Sequence, residues 1–245
     1  MASWALDLDG VVWLADNPIA GAAEAIAALR SDGHEVAFVS NNSYPTVGEY
    51  VAKLERQGIA AEGAVITSSM AAAALVEPGE QVLVLGGPGA REAVASRGAT
   101  VVDDGIVDAV LVGFHRDFTY ERMRIAATSV RGGARLLATN DDATYPTPDG
   151  PIPGAGSILA AVERASGVRA VVAGKPHQPI VDLVRARLGP SGTMVGDRPD
   201  TDGLFARALG YRFALVLSGV TAAAEGVEPA PDLVAADLAA IVAQR

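Results

Sequence analysis

Short apolar runs bounded by Gly, Pro, Asn or Asp alternate along this chain with longer stretches of helical spacing, and that alternation restricts the fold more than any other feature. Ser3–Leu8 reads as a buried strand, Gly21–Arg30 as a helix closed by Gly33, Glu35–Ser40 as a strand, and Thr46–Gln57 as a helix stopped at Gly58. Ala64–Thr67 leads into Ser68–Val76, and after Pro78 and Gly79 the alternation restarts at Gln81–Leu85. Asp108–Val112, the helical Thr119–Val130, Arg135–Thr139 and the helical Ser157–Ser166 fill the middle. The last third gives Ala170–Ala173, Pro179–Leu188, Thr193–Val195, Asp202–Leu209 and Arg212–Leu217. Strands that alternate with helices need crossover connections, and crossovers give a mainly parallel sheet covered on both faces. The expected fold class is α/β.

No fixed-period repeat and no flexible linker breaks this pattern, so a second domain has to be an insertion with short hinges. Glu77–Gly79 and Gly167–Arg169 are the best-suited hinge segments. The intervening stretch is too long for a connection and has strands and helices of its own. The expected organisation is a core of residues 1–78 and 169–245 with an inserted α/β domain at 79–168.

Composition narrows the function classes. With 50% hydrophobic residues among 245, the chain can bury a sizeable core, which argues against disorder. The 29 acidic and 19 basic residues leave a net charge of −10, which repels polyanions and argues against nucleic-acid binding. A small phosphorylated metabolite stays compatible, because a metal ion or a few local donors reverse the sign at one site. There are no cysteines, so disulfides, thiolate metal sites and cysteine nucleophiles are excluded. The segment Met1–Asp9 lacks a basic region, and no apolar run approaches the roughly 20 residues that span a bilayer. The expectation is a soluble, cytoplasmic protein without a membrane partner. Only Lys53 and Lys175 are lysines, which makes the setting of each worth asking about.

In open α/β sheets ligands bind beyond the carboxyl ends of the strands, so residues just after strands carry the chemistry. The first strand ends in Asp7-Leu8-Asp9-Gly10, where extended alternation puts both carboxylates on one side and Gly10 permits a sharp turn. Paired carboxylates repel and point to a cation or a shared proton. The second strand ends in Ser40-Asn41-Asn42-Ser43, which also suits a plain helix N-cap. Ala170–Ala173 is followed by Gly174-Lys175-Pro176, where proline ends the strand and holds Lys175 at its tip; an ordinary exposed turn is the alternative. Thr193–Val195 is followed by Gly196-Asp197-Arg198-Pro199-Asp200-Thr201-Asp202, an acidic cluster suited to a hard cation such as Mg²⁺, with Asp200 or Asp202 equally fit to cap the next helix. Acid pair, hydroxyl, lysine and acid cluster thus fall in that order at what are expected to be four strand ends of one sheet.

These motifs resemble those of the haloacid dehalogenase superfamily of phosphatases, and within it the class IIA branch of 4-nitrophenylphosphatases, phosphoglycolate phosphatases and a bacterial nucleotidase. Asp7-Leu8-Asp9-Gly10-Val11, Ser40-Asn41-Asn42-Ser43, Gly174-Lys175-Pro176 and Gly196-Asp197 through Asp202 are similar to the family's four signatures in order. Ala138-Thr139-Asn140 with Asp142, and Pro153-Gly154-Ala155-Gly156, are similar to class IIA cap segments. The resemblance implies a doubly wound, Rossmann-like core and an inserted cap. It implies Asp7 as the nucleophile that becomes an aspartyl-phosphate and Asp9 as the acid and base. It implies Ser40, the Asn41 backbone and Lys175 as the phosphate-binding groups, and Mg²⁺ held by Asp7, the backbone carbonyl of Asp9 and Asp197. Asp202 would orient Lys175 or a metal-bound water, and homodimers through the cap occur among class IIA relatives.

Ser40 stands where Thr is commoner, and Pro199 and Asp141 stand where Leu and Pro are expected. Asn140, Asp142 and Tyr145 are the candidate cap contacts to substrate, although the same residues also favour a plain turn. Trp13, close after Asp7, is a candidate substrate contact with aromatic packing under the cap as the favoured alternative, His177 just after the lysine turn is a candidate for lining the entrance, and His34 and His115 read as surface or structural. The leading expectation is a Mg²⁺-dependent phosphomonoesterase for a small phosphorylated metabolite. A phosphoacceptor signalling module uses similar residues but needs only about 120 residues. A metal-dependent metabolite sensor that lost turnover is a second non-catalytic alternative, and dehalogenase chemistry is a weaker enzymatic one.

Overall fold

The first strand, Ser3–Leu6, buries Trp4, Ala5 and Leu6, so it has no polar face to offer water. Such a strand must be paired on both edges and covered above and below. The computed structural model, which describes residues 2–15, 17–147 and 149–245, places it parallel between Glu35–Ser40 and Gly192–Gly196. The sheet continues through Arg212–Val216 to Leu233–Ala235 on one side and reaches Val65–Thr67 on the other. Helix Ala22–Ser31 buries Ala22, Ala25, Ile26 and Leu29, one face at helical spacing. Helix Gln178–Leu188 buries Ile180, Val181, Val184 and Leu188 by the same rule.

The chain forms two compact units. The first comprises Met1–Ser40, Gly48–Ile66 and Lys175–Arg245, and the second Asn41–Val47 and Thr67–Gly174. The second unit has its own parallel sheet, in the order Val171–Val172, Arg135–Ala138, Ala109–Val112, Gln81–Leu85, Thr100–Val102. Leu83, Val110 and Leu136 of this sheet form one hydrophobic cluster with Val130 of helix Tyr120–Arg131 and Val162 of helix Ala155–Ser166. Thr119 starts the first of these helices by accepting the Arg122 N–H at 3.2 Å. The parallel α/β architecture is the one the alternating pattern requires. The compact units divide at other residues than the hinge composition suggests, since Glu77–Gly79 and Gly167–Arg169 both lie inside the second unit. Gly79 and Gly167 serve as left-handed turns there, at φ 87° and 78°.

Several elements differ from the sequence expectation for physical reasons. The first strand stops at Leu6 instead of Leu8, because the Leu8 carbonyl accepts the N–H groups of Val11, Val12 and Trp13 and the chain is already turning. The helix expected at Asp202–Leu209 begins at Leu204, after a π-helical turn at Pro199–Gly203 in which the Arg198 carbonyl accepts from Thr201, Asp202 and Gly203. The apolar-run pattern also leaves unassigned the helices Pro88–Ser96 and Leu238–Val242 and the edge strands Thr100–Val102 and Leu233–Ala235. Among the described residues no helix is long and apolar enough to cross a membrane.

Phe38 sits fully buried in a strand paired directly with Ser3–Leu6. Phe38→Ala is expected to cost about 3–5 kcal/mol through the lost transfer energy and the cavity left behind. Urea unfolding checks this, and an unchanged midpoint at constant slope contradicts the packing described.

Candidate active site

Because Ser3–Leu6, Glu35–Ser40 and Gly192–Gly196 are parallel neighbours in register, their carboxyl ends emerge at one edge. Asp7 follows the first, its N–H donating to the Val195 carbonyl at 2.9 Å, while Ser40 ends the second and Asp197 follows the third. Lys175 enters from the start of the chain's return into the first unit. Its ammonium donates to Asp7 Oδ1 at 2.8 Å and to Asp202 Oδ1 at 2.7 Å, with the side chain 2% exposed. Asp202 is itself fixed by accepting the Arg198 N–H at 3.1 Å on its other oxygen. Asp197 Oδ2 accepts the Val220 N–H at 2.6 Å.

Asp7, Asp197 and Asp202 are all buried and offer carboxylate oxygens within 4.8 Å of one another. Desolvation by burial pushes the Asp7 carboxyl well above its ordinary value; Lys175 opposes this, and Asp202 and Asp197 add to it. Burial, reinforced by Asp202, raises Asp197 to about 7 against the pull of the Val220 N–H. Burial disfavours the charge on Lys175, but Asp202 and Asp7 outweigh it and hold the ammonium above its ordinary range. One ammonium faces three crowded carboxyl groups, whose mutual repulsion makes full ionisation of all three costly.

The donor set suits a hard divalent cation, being all oxygen and gathered from three carboxylates. A Cβ on Gly219 would lie 2.0 Å from Asp197 Oδ2, and one on Gly10 would lie 2.5 Å from Asp197 Cγ. Both positions therefore have to be glycine for Asp197 to keep this place. Ser218 Oγ donates to the Gly10 carbonyl at 2.6 Å and joins the two glycine-bearing loops.

Asp9 is not part of this carboxylate cluster. Its Oδ1 accepts the Trp13 indole N–H at 3.0 Å, and burial raises its pKa while that bond and Lys53 hold it down. Trp13 is buried and stacks on Tyr50, within the first unit. Ser40 Oγ lies 3.2 Å from the Tyr50 hydroxyl.

The candidate cap contacts Asn140, Asp142 and Tyr145 lie in the second unit, where they gather on the Asn41–Asn42 segment. Asn140 Nδ2 donates to the Asn41 carbonyl at 2.7 Å, as does Ser68 Oγ at 2.7 Å. Asn41 Nδ2 donates to Asp142 Oδ2 at 3.0 Å, and Asn42 Nδ2 to the Tyr145 hydroxyl at 3.3 Å. Asp142 N–H closes back on Asn140 Oδ1 at 3.1 Å, so these residues shape a turn as well as flanking Asn41. His177 is half-buried and stands immediately before helix Gln178–Leu188. His34 accepts the Ala2 N–H at 3.1 Å, and the buried His115 pairs with Asp117 at 2.8 Å, so both are structural. The sequence offered no sign of Tyr50, Ser218 or Val220, whose partners are distant in number and whose own motifs are ordinary.

The family described as Haloacid dehalogenase-like hydrolase matches residues 4–100, and a second, HAD-hydrolase-like, matches residues 172–241. An acid sugar phosphatase of Staphylococcus saprophyticus is 36% identical over 211 residues, covering 82% of this chain and 80% of that protein. The p-nitrophenyl phosphatase structure from Archaeoglobus fulgidus superposes with a TM-score of 0.94 at 30% identity, covering 100% of this chain and 99% of that one. The glycerol phosphate phosphatase of Mycobacterium tuberculosis, solved in complex with magnesium, gives a TM-score of 0.89 at 33% identity over 98% of this chain and 76% of that one. The chain belongs to the haloacid dehalogenase-like hydrolases, and within them to the class IIA phosphatase branch.

Removing the ammonium leaves Asp7 and Asp202 without their buried cation partner, so Lys175→Met is expected to destabilise the chelator-treated protein by about 3–5 kcal/mol, read by urea unfolding. The pH dependence has a definite sign. Asp197 has a native value of about 7 against an ordinary 3.8, so between these the native state keeps a proton that the unfolded chain has released. Stability without metal therefore falls as pH rises from about 4 toward 7. In chelator, the thermal midpoint of Asp197→Asn relative to the parent should be higher at pH 7.5 than at pH 5.5.

Proposed function

We propose that the chain hydrolyses small phosphate monoesters in two displacements through Asp7, the observation that carries this reading being the buried Lys175 ammonium bridging Asp7 and Asp202 beside Asp197. In the first, an Asp7 carboxylate oxygen attacks phosphorus. The ester P–O bond breaks with its electron pair on the leaving oxygen, which takes a proton from Asp9. In the second, water attacks the phosphorus of the aspartyl-phosphate, giving its proton to Asp9, and the Asp7–phosphorus bond breaks to release inorganic phosphate. Splitting the reaction gives each barrier a carboxylate suited to it.

The raised pKa of Asp9 supports its role, since an acid that holds its proton longer can deliver it nearer neutrality. Ser40 Oγ, the Asn41 backbone and Lys175 would bind the non-bridging oxygens, with Lys175 acting as a compact charge that stays protonated throughout the working range. Asp202 holds that ammonium in place through its 2.7 Å bond. Asp7, Asp197 and the Asp9 carbonyl would hold Mg²⁺, which when bound neutralises charge on the transferring phosphoryl group. Relatives named for acid sugar, p-nitrophenyl and glycerol phosphate support a small phosphorylated substrate, and the proposed selecting residues in the second unit are Asn140, Asp142 and Tyr145.

Purified protein with Mg²⁺ is expected to hydrolyse 4-nitrophenyl phosphate and to lose that activity in chelator. Asp7→Asn should lower turnover by at least about a thousandfold while circular dichroism stays that of the parent. A variant as active as the parent removes Asp7 from the chemistry. A phosphoaspartate that persists for many minutes points instead to a phosphoacceptor module.

A further inference from the structure

Trp13 is 1% exposed, and its indole N–H donates to Asp9 Oδ1 at 3.0 Å. An indole N–H can only donate, so Oδ1 must present a lone pair there, and the proton of the acid form resides on Oδ2. The bond is held by a closed turn: Gly10 N–H donates to the Trp13 carbonyl at 2.7 Å, and Asp9 and Trp13 form a β-bridge. Helix Val47–Glu55 supports the ring from one stretch of sequence. Tyr50 lies nearly parallel to it, with centroids 6.5 Å apart at 13°, and Lys53 Nζ lies 4.2 Å from its centroid while donating to the Ala15 carbonyl at 2.9 Å. Packing alone does not require the polar contact. The indole of Trp4 is buried as well, and among the described residues its N–H has no partner.

We propose that Trp13 is a positioning residue for Asp9, pinning Oδ1 so that Oδ2 is the oxygen presented to the leaving group, with Tyr50 and Lys53 holding the indole in place. The inference rests on the phosphatase reading above, in which Asp9 Oδ2–H passes its proton to the ester oxygen as the phosphorus–oxygen bond breaks. Its particular consequence concerns the leaving group. 4-Nitrophenolate departs with little help, whereas the more basic phenolate depends on a well-aimed proton.

Trp13→Phe keeps an aromatic ring and removes the N–H. Its kcat/KM, measured with Mg²⁺ on two esters of similar size, is expected to fall about tenfold or more for phenyl phosphate and no more than about threefold for 4-nitrophenyl phosphate. Asp9→Asn should give the same ordering with larger losses. Equal losses on both esters, or none, overturn the positioning role, because damaged packing has no reason to distinguish leaving groups. Should Trp13→Phe fail to fold by circular dichroism, Lys53→Met leaves the indole and removes the cation from its face; it is expected to give the same ordering at smaller size, and equal losses there overturn the role too. A parent enzyme inactive on both esters overturns the phosphatase reading and this inference with it, whereas an active parent with an unselective variant overturns this inference alone.

Discussion

The Lys175 ammonium between Asp7 and Asp202 is the interaction on which the rest of the site depends. Three carboxylates brought out of water at one sheet edge repel, and without a buried cation among them the parallel register that lines up their strands would put like charges together at full cost. Lys175 relieves part of that cost and leaves part of it. The remainder is the driving force for taking up a divalent cation, because three carboxylates share one buried ammonium that is already engaged twice. Strand pairing, burial and charge are thus one problem with one solution at this edge.

The same arrangement explains why two acids so close in sequence differ so much in setting. Asp7 continues the strand and faces the carboxylate cluster, whereas Asp9 lies past the point where the Leu8 carbonyl gathers three N–H groups and the chain has turned. One acid is surrounded by charges and the other by an indole, which is a physical basis for assigning them different tasks.

Much of this was legible in the sequence because its chemistry is local. Asp7, Ser40 and Asp197 each follow or end an apolar run of one parallel sheet, which gathers run ends at one edge whatever lies between them, whereas the run before Lys175, Val171–Val172, belongs to the other sheet. What the sequence does not make legible is of three kinds. Contacts such as Tyr50 with Ser40, Val220 with Asp197 and Asn140 with the Asn41 carbonyl join distant residues in commonplace surroundings, so no spacing announces them. Short or marginal elements, such as edge strands Thr100–Val102 and Leu233–Ala235, are only half-covered and lack the apolar run that marks a central strand. The π-helical turn at Pro199–Gly203 escaped for a third reason: acids that read as caps of a regular helix are drawn into a wider turn closed on the Arg198 carbonyl.

The wall beside Asp197 is made of hydrogens. Gly10 and Gly219 come so near its carboxylate that even a methyl would collide with it. Sequence drift is therefore judged on volume at Gly219 and on volume and left-handed backbone together at Gly10, and a library of variants would find both as intolerant as the aspartates themselves, though neither glycine carries a group that reacts.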